Sequence, residues 1–152
     1  MLTDDLQPAA IIPVLSARNK EDVLAELAQN VIDRHPALDR QDLLQILNER
    51  EKLGSTGIGD GIAIPHGKLR QANELICAFG RSREGIDFSS LDGRPVHLFF
   101  LLIAPENSAA VHLKALARIS RILRDPAVRN ALMAAEDVRE LFRIFQEQDN
   151  RF

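Results

Sequence analysis

The run from Val96 to Ala104 carries a single polar side chain, His97. A strand with one face in water alternates polar and apolar positions, whereas a strand covered on both faces is apolar nearly throughout. The run is too short for a membrane-spanning helix, which needs about 20 residues. It therefore predicts a central strand with helices packed on both sides. The fold class expected is α/β, a single domain with a mixed β-sheet flanked by helices on both faces. A chain of 152 residues fits one such domain over its whole length.

The remaining pattern supplies the layers. Ile11, Ile12, Val14 and Leu15 surround Pro13, which lacks a ladder donor, so this segment reads as an edge strand or extended arm. Asn19 and Asp39 are N-cap residues, each with an acid three positions on, and open two helices; Pro36 ends the first and Gly54 the second. Ser55 to Gly61 is a glycine-rich loop, Ile62 to Pro65 a short strand ending at His66, and Leu75 to Gly80 another strand. Asp92-Gly93 marks the turn before the central strand. A helix from Asn107 or Ser108 to Leu123 places His112, Leu116, Ile119 and Leu123 on one stripe. Asp125-Pro126 opens a short helix, Asp137 to Gln146 forms the last one, and a short polar tail after about residue 147 is expected to fray.

Composition excludes several functions. Lys and Arg number 19 against 22 Asp and Glu, so no basic excess exists to release counterions from nucleic acid, and all seven aromatic residues are Phe. The single cysteine, Cys77, forms no internal disulfide and fits a reducing compartment. Asp4 and Asp5 stand where a signal peptide would be basic. A cytoplasmic protein with no membrane insertion and no nucleic-acid partner is expected; the oligomeric state stays open.

Chemistry concentrates between Gly54 and Leu69. A Walker loop needs glycine at position 62 and Ser or Thr at 69, where the chain has Ile62 and Leu69; a dinucleotide fingerprint also needs glycine at 62. What remains is His66 between Pro65 and Gly67. Pro65 fixes its own φ, and Gly67 removes bulk so that another molecule can approach. A neutral imidazole is a nucleophile toward phosphorus. From these residues alone, His66 is either a presented nucleophile or a turn histidine beside a flexible loop.

The string Gly61-Ile62-Ala63-Ile64-Pro65-His66-Gly67-Lys68-Leu69, with Arg50 to Gly59 before it, resembles the signature of enzyme IIA of the bacterial phosphoenolpyruvate:sugar phosphotransferase system, fructose/mannitol/nitrogen-regulatory class. The resemblance covers nearly the whole chain and stands nearest the nitrogen-regulatory branch. It implies that His66 accepts phosphate from an HPr-type phosphohistidine carrier, with Arg50 and His112 as the other catalytic residues. Arg50 would hold phosphate through its planar fork. His112 would bond the phosphoryl group or orient His66; some relatives carry a further histidine where this chain has Lys114. Read without the resemblance, Arg50 is a charge ending a helix and His112 a histidine packed on the sheet.

Ser55, Thr56, Gly57 and Gly67 are candidate phosphate-binding positions, since successive amides and hydroxyls form anion nests; equally, they only shape the turn. His35, His97 and Cys77 read as structural. No cofactor or metal is expected: His66 and His112 make an incomplete ligand set, which leaves metal-assisted hydrolysis a poor fit. Two alternatives accompany the phosphocarrier reading. One is a sugar-specific IIA passing phosphate to a IIB partner for uptake. The other is a regulatory module that binds kinases or transport proteins according to the phosphorylation state of His66.

Overall fold

The structure, a computed structural model, describes residues 1–151. Two 3-10 turns (Leu2–Asp4 and Pro8–Ala10) lead into β1 (Ile11–Ile12), α1 (Lys20–Arg34) and α2 (Arg40–Lys52). Then come β2 (Gly57–Gly59), β3 (Ile62–Ala63), β4 (His66–Leu69), β5 (Ile76–Ile86) and β6 (Val96–Pro105). Helices α3 (Ala109–Arg124), α4 (Pro126–Ala134) and α5 (Val138–Arg151) complete the chain. Among the described residues, no helix is long and apolar enough to cross a membrane.

The sheet order is β1-β5-β6-β3-β2, with β4 also pairing β6. Strand β6 runs antiparallel to β5 and parallel to β3 and β4. Its side chains alternate between two cores, as period 2 requires. Leu98, Phe100 and Leu102 join Phe79 and the α3, α4 and α5 residues Ile119, Leu132 and Phe145. Phe99, Leu101 and Ile103 join Val23, Leu27, Leu43 and Leu47 of α1 and α2. The mixed sheet with helices on both faces follows from that double burial.

Local signals account for the helix ends. Asn19 accepts from the Asp22 amide at 2.8 Å, Asp39 from Asp42 at 3.1 Å, and Asp125 from Ala127 at 2.9 Å. Each such cap contributes about 1 kcal/mol.

Four expectations need correction. The glycine-rich segment is not all loop: β2 and β3 form an antiparallel hairpin closed by Asp60-Gly61. Both turn residues have positive φ (58° and 76°), the requirement of a tight two-residue hairpin turn that Asp-Gly meets. The strand into His66 does not end there but resumes as β4. Ile62 lies opposite Leu98 and His66 opposite Leu102, so the register carries across Ile64 and Pro65.

Strand β5 runs past Gly80 because Arg81, almost wholly buried, is solvated by carbonyls. It donates to Pro13 O at 3.0 Å, Leu132 O at 2.8 Å and Ala135 O at 2.5 Å. The last two are carbonyls left open at the end of α4, where a cation is favoured.

The tail after residue 147 is helical to Arg151, and the Asp149 side chain is only 1% exposed. Its carboxylate accepts from the Thr3 amide and hydroxyl, both at 3.0 Å. Arg118 Nε lies 3.1 Å from Asp149 Oδ1 as an ion pair without hydrogen-bond alignment, while Arg118 Nη2 donates to the Asp149 carbonyl at 3.0 Å. The polar end of α5 is thereby tied to both α3 and the N-terminal turn. Asp149→Ala leaves Arg118 without its counter-charge and should lower unfolding stability by about 2–3 kcal/mol. Urea denaturation would show this as a lower midpoint at unchanged slope.

Candidate functional site

The preserved β3–β4 register decides which way His66 faces. Ile62 and Ile64 enter the core beneath α3 to α5, whereas Ala63 and Leu69 enter the core beneath α1 and α2. By the same alternation His66 faces α3 and Gly67 faces α2. His112, on the first turns of α3, meets His66 edge-on, with ring centroids 5.5 Å apart and planes at 70°. Arg50, in the last turn of α2, reaches His66 from the other side, its Nε 3.3 Å from His66 Nε2. Arg50 Nη1 donates to Gly54 O at 2.9 Å, which holds the guanidinium at its other end. The three side chains come from three separate elements and converge.

Hydrogen bonding sets the tautomer. His66 Nδ1 lies 2.7 Å from Ile64 O. A carbonyl only accepts, so Nδ1 carries the proton and Nε2 keeps its lone pair. The Arg50 Nε–H directed at Nε2 agrees with that assignment. His112 Nε2 is buried without a hydrogen-bond partner. The His112 ring itself stands edge-on to His66, 5.5 Å between centroids.

Both imidazoles are shifted toward the neutral form. Burial lowers the His66 pKa below 6.5 and the Arg50 charge lowers it further; the Ile64 carbonyl and the Glu51 charge oppose this. Burial, then His66 and Lys68, lower that of His112. An unprotonated, oriented imidazole beside a guanidinium and a second imidazole is suited to accept an electrophile that carries negative charge.

The glycine loop is arranged differently from an anion nest. Ser55 Oγ donates to Phe88 O at 2.9 Å, and the Gly57 amide donates to Ser55 Oγ at 3.0 Å. The Thr56 amide donates to Glu51 Oε1 at 3.1 Å, and its hydroxyl to Glu51 Oε2. These donors tie the loop to Glu51 of α2 and to the segment after β5. Gly67 is also explained from within: a Cβ there would lie 2.4 Å from Ile46 Cγ2 of α2. The absent side chain admits α2 against β4.

Glu51 was not among the residues singled out from sequence. No sequence spacing pairs it with Lys20, whose ammonium lies 2.9 Å from Glu51 Oε1. Exposed apolar side chains stand on the segments that carry the site: Leu53 beyond α2, Leu91 bonded through its amide to Gly57 O, and Val111 and Leu113 flanking His112.

Residues 6–148 match the family described as phosphoenolpyruvate-dependent sugar phosphotransferase system, EIIA 2. The chain belongs to this enzyme IIA family. Within it, a nitrogen regulatory protein of Bradyrhizobium diazoefficiens is 43% identical over 143 residues, covering 94% of this chain and 93% of that protein. The crystal structure of nitrogen regulatory protein IIA-Ntr from Neisseria meningitidis superposes with a TM-score of 0.87 at 33% identity, covering 93% of this chain and 96% of that one. The fructose-specific EIIABC component of Bacillus subtilis is 40% identical over 136 residues, which cover 89% of this chain but 21% of that protein.

The tight fit at Gly67 has a direct consequence. Gly67→Ala should destabilise the fold by about 1–3 kcal/mol through overpacking. The cost should shrink in an Ile46→Ala background, which removes the clashing methyl; a double-mutant cycle by chemical denaturation measures that coupling.

Proposed function

We propose that this IIA domain is a histidine phosphocarrier in a nitrogen-regulatory role, and that His66 Nε2 is the phosphoryl acceptor. The observation that carries this reading is the His66 ring itself. Its Nδ1–H is anchored on Ile64 O, its Nε2 faces Arg50, and the His112 ring stands edge-on to it, 5.5 Å between centroids. An HPr-type phosphohistidine carrier is the donor. The His66 Nε2 lone pair forms the new N–P bond in line as the donor's N–P bond breaks, and the donor imidazole leaves with that electron pair. The donor, protonated on its other ring nitrogen, leaves as neutral imidazole, and the Nδ1 proton stays on His66, so no proton need move in the step.

Charge in such a transfer spreads over the three equatorial oxygens, so donors and positioning supply the catalysis. Arg50 moves its N–H from Nε2 to a phosphoryl oxygen, and neutral His112 donates from Nε2 in the tautomer protonated there. Ser55, Thr56 and Gly57 hold the loop's shape instead of binding phosphate. The exposed side chains of Leu53 and Leu113, on the segments that carry Arg50 and His112, and Leu91, tied to the loop at Gly57, are the apolar groups offered to the carrier.

The match to a fructose-specific EIIABC component motivates a second reading, in which the phosphate passes onward to a IIB partner for sugar uptake. The two readings separate by the acceptor. A purified sugar-specific IIB that strips phosphate from His66 favours uptake, and retention of phosphate with state-dependent binding of a kinase or transport protein favours regulation.

Incubation with phosphoenolpyruvate, enzyme I and an HPr-type carrier should add one acid-labile phosphate by intact mass. His66→Ala should add none. Arg50→Ala should slow the transfer by about 100-fold, the loss typical of one transition-state donor. Only neutral imidazole attacks, and the His66 pKa is lowered from 6.5. The acceptance rate should therefore be level around neutrality and fall with acid only below pH 6.5, as rapid-quench measurements against pH would record.

A further inference from the structure

Arg50 and Glu51 are neighbours in the last turn of α2, yet only Arg50 touches His66. The Glu51 carboxylate, 6% exposed, gathers donors from two other segments. Lys20, the first residue of α1, lies 2.9 Å from Oε1; the Thr56 amide donates to the same oxygen at 3.1 Å, and the Thr56 hydroxyl bonds Oε2. Lys20 is itself held over the Phe88 ring, 4.7 Å from its centroid. One buried carboxylate thus joins the start of α1, the end of α2 and the loop into β2.

A buried charge pair is costly to desolvate and is weak grounds for stability by itself. What this one does is local. It clamps the helical turn that aims Arg50, and it places a negative charge near His66 that Lys20 counterbalances. Uncompensated, that charge would repel an incoming phosphoryl group.

We propose that Glu51 is a positioning residue of the His66 site, with Lys20 as its obligatory counter-charge. Together they fix Arg50 against His66 and set the electrostatic balance in which His66 receives phosphate. The proposal rests on the reading of His66 as phosphoryl acceptor. The charged and titratable groups facing His66 are Arg50 and Glu51 from α2 and His112 from α3, with Lys68 on its own strand acting on His112.

The Glu51 charge favours protonated His66, while burial and Arg50 disfavour it. Two charge-removing variants should therefore move His66 in opposite directions. Glu51→Gln keeps the shape and an acceptor for Thr56 but removes the negative charge, so the His66 titration midpoint moves to lower pH. Lys20→Met leaves Glu51 uncompensated, so the midpoint moves to higher pH. It should also slow phosphoryl acceptance between about 10- and 100-fold, the scale of a misplaced catalytic group. Lys20→Arg should restore both.

The test is an NMR titration of the His66 ring in wild type and each variant, with phosphorylation by the HPr-type carrier measured alongside. The titration needs no donor, and a purely structural clamp would move both variants the same way or neither. Opposite shifts, with rescue by Lys20→Arg, are the expected result. Shifts of the same sign, or none, in folded variants overturn the proposal. A wild-type protein that takes no phosphate from a carrier active on a control overturns the underlying reading instead, so the two failures are told apart.

Discussion

Burial of β6 on both faces is the constraint on which the other elements depend. With Phe99, Leu101 and Ile103 turned to α1 and α2, and Leu98, Phe100 and Leu102 turned to α3, α4 and α5, neither helical layer is dispensable. The strand also sets the site. β3 and β4 both pair with it in one register, so the face on which His66 lies is decided by which β6 residue it opposes. A slip of one residue would turn His66 toward α2 and Gly67 toward His112. The imidazole and the small residue that admits α2 are thus parts of one register choice.

Around His66 the electrostatics are arranged to keep imidazole neutral while offering cationic and neutral donors. Burial lowers the pKa of both histidines, and each proton not taken up leaves a lone pair available at neutral pH. Arg50 brings a positive charge that stays in place through the reaction, since guanidinium is not deprotonated in proteins. In the proposed transfer, phosphorylation would bring negative charge to a place where a guanidinium already faces His66 and a second imidazole stands edge-on to it. That arrangement needs little rearrangement when the phosphoryl group arrives, which is the advantage of preorganised donors over water.

Much of this was legible in the chain. The doubly apolar run located the central strand, and the caps at Asn19, Asp39 and Asp125 located helix starts, because both signals are local. The Asp60-Gly61 hairpin was equally local but was masked by the alternating glycines around it. The continuation of β5 past Gly80 and of α5 past residue 147 is not a local signal, since Arg81 and Asp149 are charged and stand beyond the apolar run of each element. Their burial depends on carbonyls of α4 and on Thr3 and Arg118, far away in sequence. Glu51 and Lys20 were hidden in the same way, since their pairing exists only once α1 and α2 are packed. Resemblance implied roles for Arg50 and His112, but whether they converge on His66 could not be read from the chain, since no spacing along it contains the 3.3 Å and 5.5 Å separations of the folded site.

The central claim is that Nε2 of His66, with Nδ1–H anchored on Ile64 O, receives the phosphoryl group. The direct measurement is nitrogen and phosphorus NMR of the protein after phosphorylation by an HPr-type carrier, with the histidine rings isotope-labelled. The account predicts one phosphorus coupled to Nε2 of His66, and a proton retained on Nδ1. Phosphorus on Nδ1 of His66, or on His112 with His66 unmodified, would contradict it.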